Sequence, residues 1–96
     1  MTDLSEMNLE NGSFRYNDLR EADLSGSDLS GADLTGADLT CAFLTGVTLI
    51  GANLTGANLT GVALFCANLT GANFTGVDLT GVDMLCAVLT DTILPK

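Results

Sequence analysis

The chain has 96 residues, of which 47% are hydrophobic and 5% aromatic, and its twelve acidic residues against three basic ones give a formal net charge of −9. This balance disfavours binding to nucleic acid or to an anionic membrane surface, because basic residues supply much of the affinity for phosphate groups. No apolar run reaches the roughly 18 residues of a membrane-spanning helix, and the acidic first ten residues do not resemble a signal peptide, so we expect a single-domain cytoplasmic protein.

Large apolar residues recur at every fifth position of the sequence. From Leu4 to Leu94, each fifth residue is Leu, Phe or Met, which gives 19 consecutive repeat centres. The residue two places before a centre is usually small, the residue just before it is usually Asp or Asn, and the residue just after it is usually Ser or Thr. Neither the 3.6-residue period of a helix nor the two-residue period of a strand produces this pattern.

Glycine ends most of the repeats. Ten of the eleven glycines lie two residues after a centre, and a type II turn requires a positive φ at this place, its second central residue. In the short extended segment between turns, the centre and the small residue two before it point the same way. The pattern therefore predicts a polygonal coil with a narrow apolar interior. The predicted core contains Leu24, Leu29, Leu34, Leu39, Leu44, Leu49, Leu54, Leu59, Leu64, Leu69, Phe74 and Leu79.

Residues 1–20 depart most from the pattern and are predicted to form an N-terminal capping coil. Their small positions hold Thr2, Gly12 and Asn17 instead of Ala or Val. Long charged side chains such as Arg15 and Arg20 are expected to fold over the end of the stack, because a terminal repeat has to cover an otherwise open core layer.

Acidic residues concentrate in the N-terminal half, mostly at the position just before a centre. We name as the acidic collar Asp18, Asp23, Asp28, Asp33 and Asp38. No charged residue occurs between Leu39 and Val77. One interpretation is that Asp and Asn are interchangeable outward residues that bond nearby backbone groups. The other is that the collar binds a basic partner.

Three cysteines take the place of glycine at the ends of repeats. Cys41, Cys66 and Cys86 form no Cys-x-x-Cys pair, and the chain has no histidine, so a zinc site is not expected. We expect these cysteines to mark turns that do not need a positive φ. They are predicted to remain free thiols, because no neighbouring cation lowers their pKa.

The repeats Ala32-Asp33-Leu34-Thr35-Gly36 and Ala52-Asn53-Leu54-Thr55-Gly56 resemble those of the pentapeptide-repeat proteins. The resemblance extends over residues 2–96 and implies an all-β fold, a right-handed quadrilateral parallel β-helix (a solenoid) with four repeats per coil. About 19 repeats then make nearly five coils in one domain, residues 1–96, in which residues 75–96 form the C-terminal coil.

With 20 residues per coil, several outward apolar residues fall on one side of the solenoid. Phe65 and Leu85 share a column, with Phe43 and Ala63 beside it, and such a patch often marks a contact with another molecule. The alternative is that these are scattered exposed apolar residues, which are normal on protein surfaces.

Apolar residues also surround the C-terminal coil, and this end is the predicted interface of a homodimer. The residues concerned are Leu85, Val88, Leu89, Ile93 and Leu94. A two-fold arrangement through this end keeps the two acidic collars farthest apart, and the resemblance implies the same, since several pentapeptide-repeat proteins dimerise there. A dimer joined through the Phe43, Phe65 and Leu85 face remains the open alternative.

The sequence offers no constellation that supports catalysis. It has no histidine, its one lysine is Lys96, and a closed leucine core leaves no pocket, so we expect neither an enzyme nor a cofactor or metal site. The main hypothesis is a non-catalytic protein-interaction or scaffold module with an unidentified protein partner. The resemblance implies one alternative, a DNA mimic that binds a DNA topoisomerase such as gyrase. Another is a small-molecule or metal-binding module.

Overall fold

The computed structural model describes residues 2–95 as a stack of hydrogen-bonded coils. Isolated parallel bridges join residues 20 apart, for example Asp3 to Asp23 and Asp33 to Asn53. Within the described range there is no helix, and each extended segment except that at Asp78 is a single bridged residue between turns. Because 20 residues hold four repeats, the solenoid has four sides, as expected. Side one carries the centres Leu4, Leu24, Leu44, Leu64 and Met84, and sides two, three and four begin at Leu9, Phe14 and Leu19.

The repeats share one tight turn. From Leu9 to Leu89, the C=O of each centre accepts a hydrogen bond of 2.8–3.2 Å from the N–H three residues later. The residue two after the centre has a positive φ whether it is glycine or not, and the values for Cys41, Cys66 and Cys86 are 58°, 55° and 63°. The prediction that these cysteines mark a different turn is therefore wrong. The same closing hydrogen bond gives every turn the same backbone conformation, whichever residue occupies the corner.

Hydrogen bonds between coils hold the stack together. The N–H groups of Leu34 and Gly36 donate to C=O groups of the following coil at 2.7 and 2.9 Å, and the N–H of Asp33 donates to the preceding coil at 2.9 Å. Over the described residues, some of these bonds are missing between Phe43 and Ala63 and around Asp78. The gaps adjoin Val62, Val77 and Val82, whereas the bonds beside Val47 are intact.

The interior is a column of stacked leucine layers. Eleven of the twelve predicted core centres are buried, and Leu79 is only partly buried, since no described residue lies one coil beyond it. Ser27 is the buried polar residue among those described, and its hydroxyl donates to the C=O of Leu24 at 2.7 Å. This bond satisfies a group that would otherwise be costly to bury. The longest dimension of the molecule is 31 Å.

The first coil is more exposed than the coils that follow it. Its centres Leu4, Leu9, Phe14 and Leu19 are partly buried and pack against the main core. Arg15 Nη1 lies 3.1 Å from an Asp33 carboxylate oxygen, and Arg20 Nη2 lies 2.7 Å from Asp18. The prediction that these arginines fold over the end is wrong, because carboxylates on the outer surface offer them charge-assisted hydrogen bonds.

Candidate functional site

The Asp and Asn residues before the centres close local hydrogen-bonded rings on the outer surface. The Thr55 N–H and hydroxyl donate to Asn53 Oδ1 at 3.0 and 2.6 Å. Asp33 accepts the equivalent pair of bonds from Thr35, at the same two distances. Aspartate and asparagine therefore do the same structural work in this turn, which supports the interpretation of the collar as outward residues that bond the backbone.

Hydrogen bonds lower the pKa of several collar carboxylates. The side chain of Arg20, and then its backbone N–H, lowers the pKa of Asp18 to about 2. The hydroxyl and backbone N–H of Thr40 lower the pKa of Asp38. Donors to an ionised carboxylate favour the charged form, so these two groups carry their full negative charge at neutral pH.

The acidic collar encircles the solenoid. Asp23 lies on side one, Asp28 on side two and Asp33 on side three, whereas Asp18 and Asp38 share side four. The two arginines of the first coil neutralise part of this charge on sides three and four, through the contacts already described. The collar is thus a ring of partly paired charges and not a flat acidic face.

Large apolar side chains of three successive coils stand on the outer surface of side one. Phe43, Phe65 and Leu85 are exposed over 51%, 37% and 67% of their surface. The Gly46 N–H donates to the Phe65 C=O at 2.8 Å, and Ala63 is bridged to Asp83, so the coils are held in register. We name the apolar stripe the set Phe43, Ala63, Phe65 and Leu85. Asp23 and Asp83 lie in line with it and frame its two ends.

A separate apolar surface lies at the C-terminal end. It is formed by the exposed side chains of Val88, Leu89, Ile93 and Leu94. An open cavity of about 580 Å³ adjoins it, lined by residues 75–78 and 93–95. All seven residues predicted as an interface are thus exposed, but they belong to two surfaces. The cavity was not foreseen, because it lies outside the core.

The described residues contain no cluster of side chains suited to hold a metal. Over residues 2–95, no group of three or more His, Cys, Asp or Glu side chains is placed to hold an ion. No helix in this range could span a membrane.

The exposure of Met7 and Tyr16 was missed by sequence reasoning. The Arg15 guanidinium carbon lies 5.6 Å from the centre of the Tyr16 ring. The position of Tyr16 at a corner of the coil was the feature of the sequence that indicated its exposure.

Known proteins share this architecture. A family model described as pentapeptide repeats matches residues 2–31, 27–64 and 57–94, with eight copies. The chain is similar to the crystal structure of Rfr23, a pentapeptide repeat protein of the cyanobacterium Cyanothece 51142, with 38% identity and a TM-score of 0.92 over 96% of this chain and 63% of that one. A pentapeptide repeat protein of the Arabidopsis thaliana thylakoid lumen is 35% identical, with a TM-score of 0.77 over 95% of this chain and 60% of that one.

A third similar structure is a pentapeptide repeat protein of Nostoc PCC 7120, 31% identical, with a TM-score of 0.57 over 98% of this chain and 66% of that one. The chain spans less than two thirds of the length of the first two of these proteins. No protein with a curated description matches it. The repeat, the 20-residue coil, the family model and the structural similarity agree, and the chain belongs to the pentapeptide repeat family.

Proposed function

We propose that this protein is a non-catalytic interaction module that binds a partner protein through its apolar stripe. The observation that carries the proposal is the exposure of Phe43, Phe65 and Leu85 on one side of the solenoid, where Phe65 and Leu85 share a column and Phe43 lies in the column beside it. Most other outward positions hold Asp, Asn, Ser or Thr. Apolar groups that are contiguous on an otherwise polar surface are typical of contact sites.

The stripe is a rigid platform, which favours binding. Hydrogen bonds to neighbouring coils at Gly46 and Cys66 hold the backbone beside Phe65 and Leu85. A partner therefore meets side chains whose backbone is already ordered, and the entropy cost of binding is reduced. Burying a large exposed apolar side chain against a partner contributes on the order of 1–2 kcal/mol to the free energy of binding. Three such side chains therefore contribute several times that amount.

The charges around the stripe indicate the chemistry of the partner surface. Asp23 and Asp83 frame the stripe, and the net charge of the whole chain is −9. We infer a partner with an apolar patch bordered by Lys or Arg, because opposite charges at the rim speed association and align the two surfaces.

The substitutions Phe65→Thr and Leu85→Thr test this proposal. Thr45 precedes both residues in the same column, so threonine restores the usual outward residue without disturbing the core. A partner captured by the unmodified protein is purified and titrated against each variant. We expect the double variant to bind at least tenfold more weakly.

Ile50→Thr is the matched control, since it makes the same kind of change at an exposed position on side two. It should bind within twofold of the unmodified protein. Equal binding by the double variant and the unmodified protein would reject the stripe as the contact surface. Thermal unfolding of all three proteins confirms that the fold is kept.

We further propose that two copies associate through the C-terminal end. This surface exposes Leu89, Ile93 and Leu94, and the acidic collar lies at the other end of the stack. A two-fold pair therefore brings apolar layers together and keeps like charges apart. Such a dimer would present two apolar stripes, which makes it a bivalent scaffold.

DNA mimicry and small-molecule binding have less support. Nine net charges over a 31 Å molecule give about half the linear charge density of duplex DNA, which has one charge per ~1.7 Å. The collar also surrounds all four sides, whereas a DNA mimic needs charge arranged along a surface. The cavity of about 580 Å³ beside the last coil is open at the end of the stack, so it would enclose little of a ligand.

A further inference from the structure

Cys66 and Cys86 occupy the same corner of two successive coils. Both are exposed, and both have a positive φ. The Cys66 N–H donates to the Leu85 C=O at 2.9 Å, and parallel bridges on either side fix the register. In-register residues of neighbouring strands lie about 4.8 Å apart at Cα. This separation is within the range of about 4.4–6.8 Å found for disulfides.

Side chains at the corners of this solenoid lean toward the following coil. Cys41 Sγ lies 3.1 Å from the place that a β-carbon on Gly61 would occupy. The Tyr16 ring lies against Gly36 in the same manner. In a disulfide, each sulfur lies roughly 3 Å from the partner's β-carbon, given the length of the S–S bond. The repeat thus brings a corner sulfur to bonding distance of the next coil, and residue 86 provides the second sulfur there.

The electrostatics of the corner agree with thiols in contact. The hydrogen bond with Cys86 raises the pKa of Cys66, and partial desolvation of the thiol adds to the increase. A higher pKa leaves less Cys66 thiolate at neutral pH, so Cys66 reacts more slowly there and faster as the pH rises. Cys41 lies at a different corner, and its neighbour in the next coil is Gly61.

We propose that Cys66 and Cys86 form a dithiol modification site, which a small-molecule disulfide oxidises to a disulfide between two coils. One thiolate of the pair attacks the small disulfide, forms a mixed disulfide and releases one small thiol. The second thiolate attacks the protein sulfur of the mixed disulfide and releases the other small thiol. The two protein thiols lose two electrons and two protons, and the small disulfide is reduced to two thiols. The chemistry of this pair does not require partner binding, although Cys66 and Cys86 directly follow Phe65 and Leu85 of the apolar stripe.

Oxidised glutathione and intact-protein mass spectrometry test the proposal. The fully reduced chain is incubated with excess oxidised glutathione, quenched with acid, weighed and mapped by peptide analysis. We expect one glutathione adduct, on Cys41, together with the loss of two hydrogens and a bridged peptide pair containing Cys66 and Cys86. The rate of bridge formation should rise about tenfold from pH 7 to pH 8, as the thiolate fraction grows.

Two variants serve as controls. Cys41→Ser should form the bridge at an unchanged rate and carry no adduct. Cys66→Gly, which places the usual corner residue, should lose the bridge and carry adducts on Cys41 and Cys86. Three adducts on the unmodified chain, or a bridge that includes Cys41, would overturn the proposal. Oxidation in urea provides the unfolded reference, in which the preference for the 66–86 pair should disappear.

Discussion

Eight residues other than glycine hold a positive φ at the corners of this solenoid. Such a backbone costs an L-residue about 1–2 kcal/mol, because its β-carbon approaches the following carbonyl oxygen. The first coil has Glu6, Asn11, Tyr16 and Glu21 at its corners, whereas the middle coils mostly have glycine. The side chains at the corners are therefore tolerated only because the closing hydrogen bond and the neighbouring coils fix the turn.

Gly56→Ala tests the cost of a single corner. Gly56 has a φ of 69°, and an added β-carbon would meet nothing within 4 Å, so the substitution causes strain without a clash. We expect a loss of about 1 kcal/mol in the free energy of unfolding, measured by urea denaturation. Cys41→Gly makes the reverse change and should not destabilise the protein. If Gly56→Ala unfolds at the same urea concentration as the unmodified chain, corner strain is negligible.

The repeat as an element is stabilised by its polar ring as well as by its leucine. Asp28 and Asp38 accept hydrogen bonds from the N–H groups of Ser30 and Thr40 at 3.0 Å. The hydroxyls of Ser30 and Thr40, and then these N–H groups, lower the pKa of the two carboxyls. A pKa lower in the folded than in the unfolded chain means that the ionised carboxyl stabilises the fold. This contribution is present above the unfolded pKa of about 3.9 and is lost as the pH falls through the folded value.

The double variant Asp28→Asn, Asp38→Asn separates charge from hydrogen bonding. Asn58 accepts the same bonds from Thr60 in a middle coil, so the variant should match the unmodified chain in thermal unfolding at pH 7. Below about pH 4 it should lose less stability than the unmodified chain, because amides do not titrate. Alanine at the same two positions removes the acceptor and should destabilise at every pH. Identical acid sensitivity of the asparagine variant and the unmodified chain would contradict this explanation.

For the whole molecule, the main question is which of the two apolar surfaces forms the contact between two copies of the chain. Analytical ultracentrifugation at micromolar concentration should give a mass about twice the 9.9 kDa of the chain. Ile93→Asp with Leu94→Asp should give monomers with an unchanged fold, because buried charge without a partner opposes association. Phe65→Thr with Leu85→Thr should leave the dimer intact. A dimer lost only in the threonine variant would assign the self-contact to the stripe, and a monomeric unmodified protein would exclude both arrangements.

The local features of the fold could be read from the chain, because they depend on residues close together in sequence. The period of five identified Leu24 to Phe74 as buried centres, and the polarity of residues such as Asn53 placed them outside. The turn at cysteine was predicted wrongly. Cys41 adopts a positive φ because the hydrogen bonds of its turn and of the next coil impose it, and composition does not report that constraint.

The sequence alone determined the periodicity, the buried centres and the outward polar residues. It did not determine the number of sides, because a repeat of five residues is compatible with any number. Four sides were implied by the family resemblance, and the bridges between residues 20 apart decide them; the right-handed winding stays a prediction. That register decides which distant residues meet. It aligns Phe65 with Leu85, stacks Cys66 on Cys86 but Cys41 on Gly61, and brings Asp33 to Arg15. These pairings depend on hydrogen bonds between coils, which the pattern within one repeat does not contain.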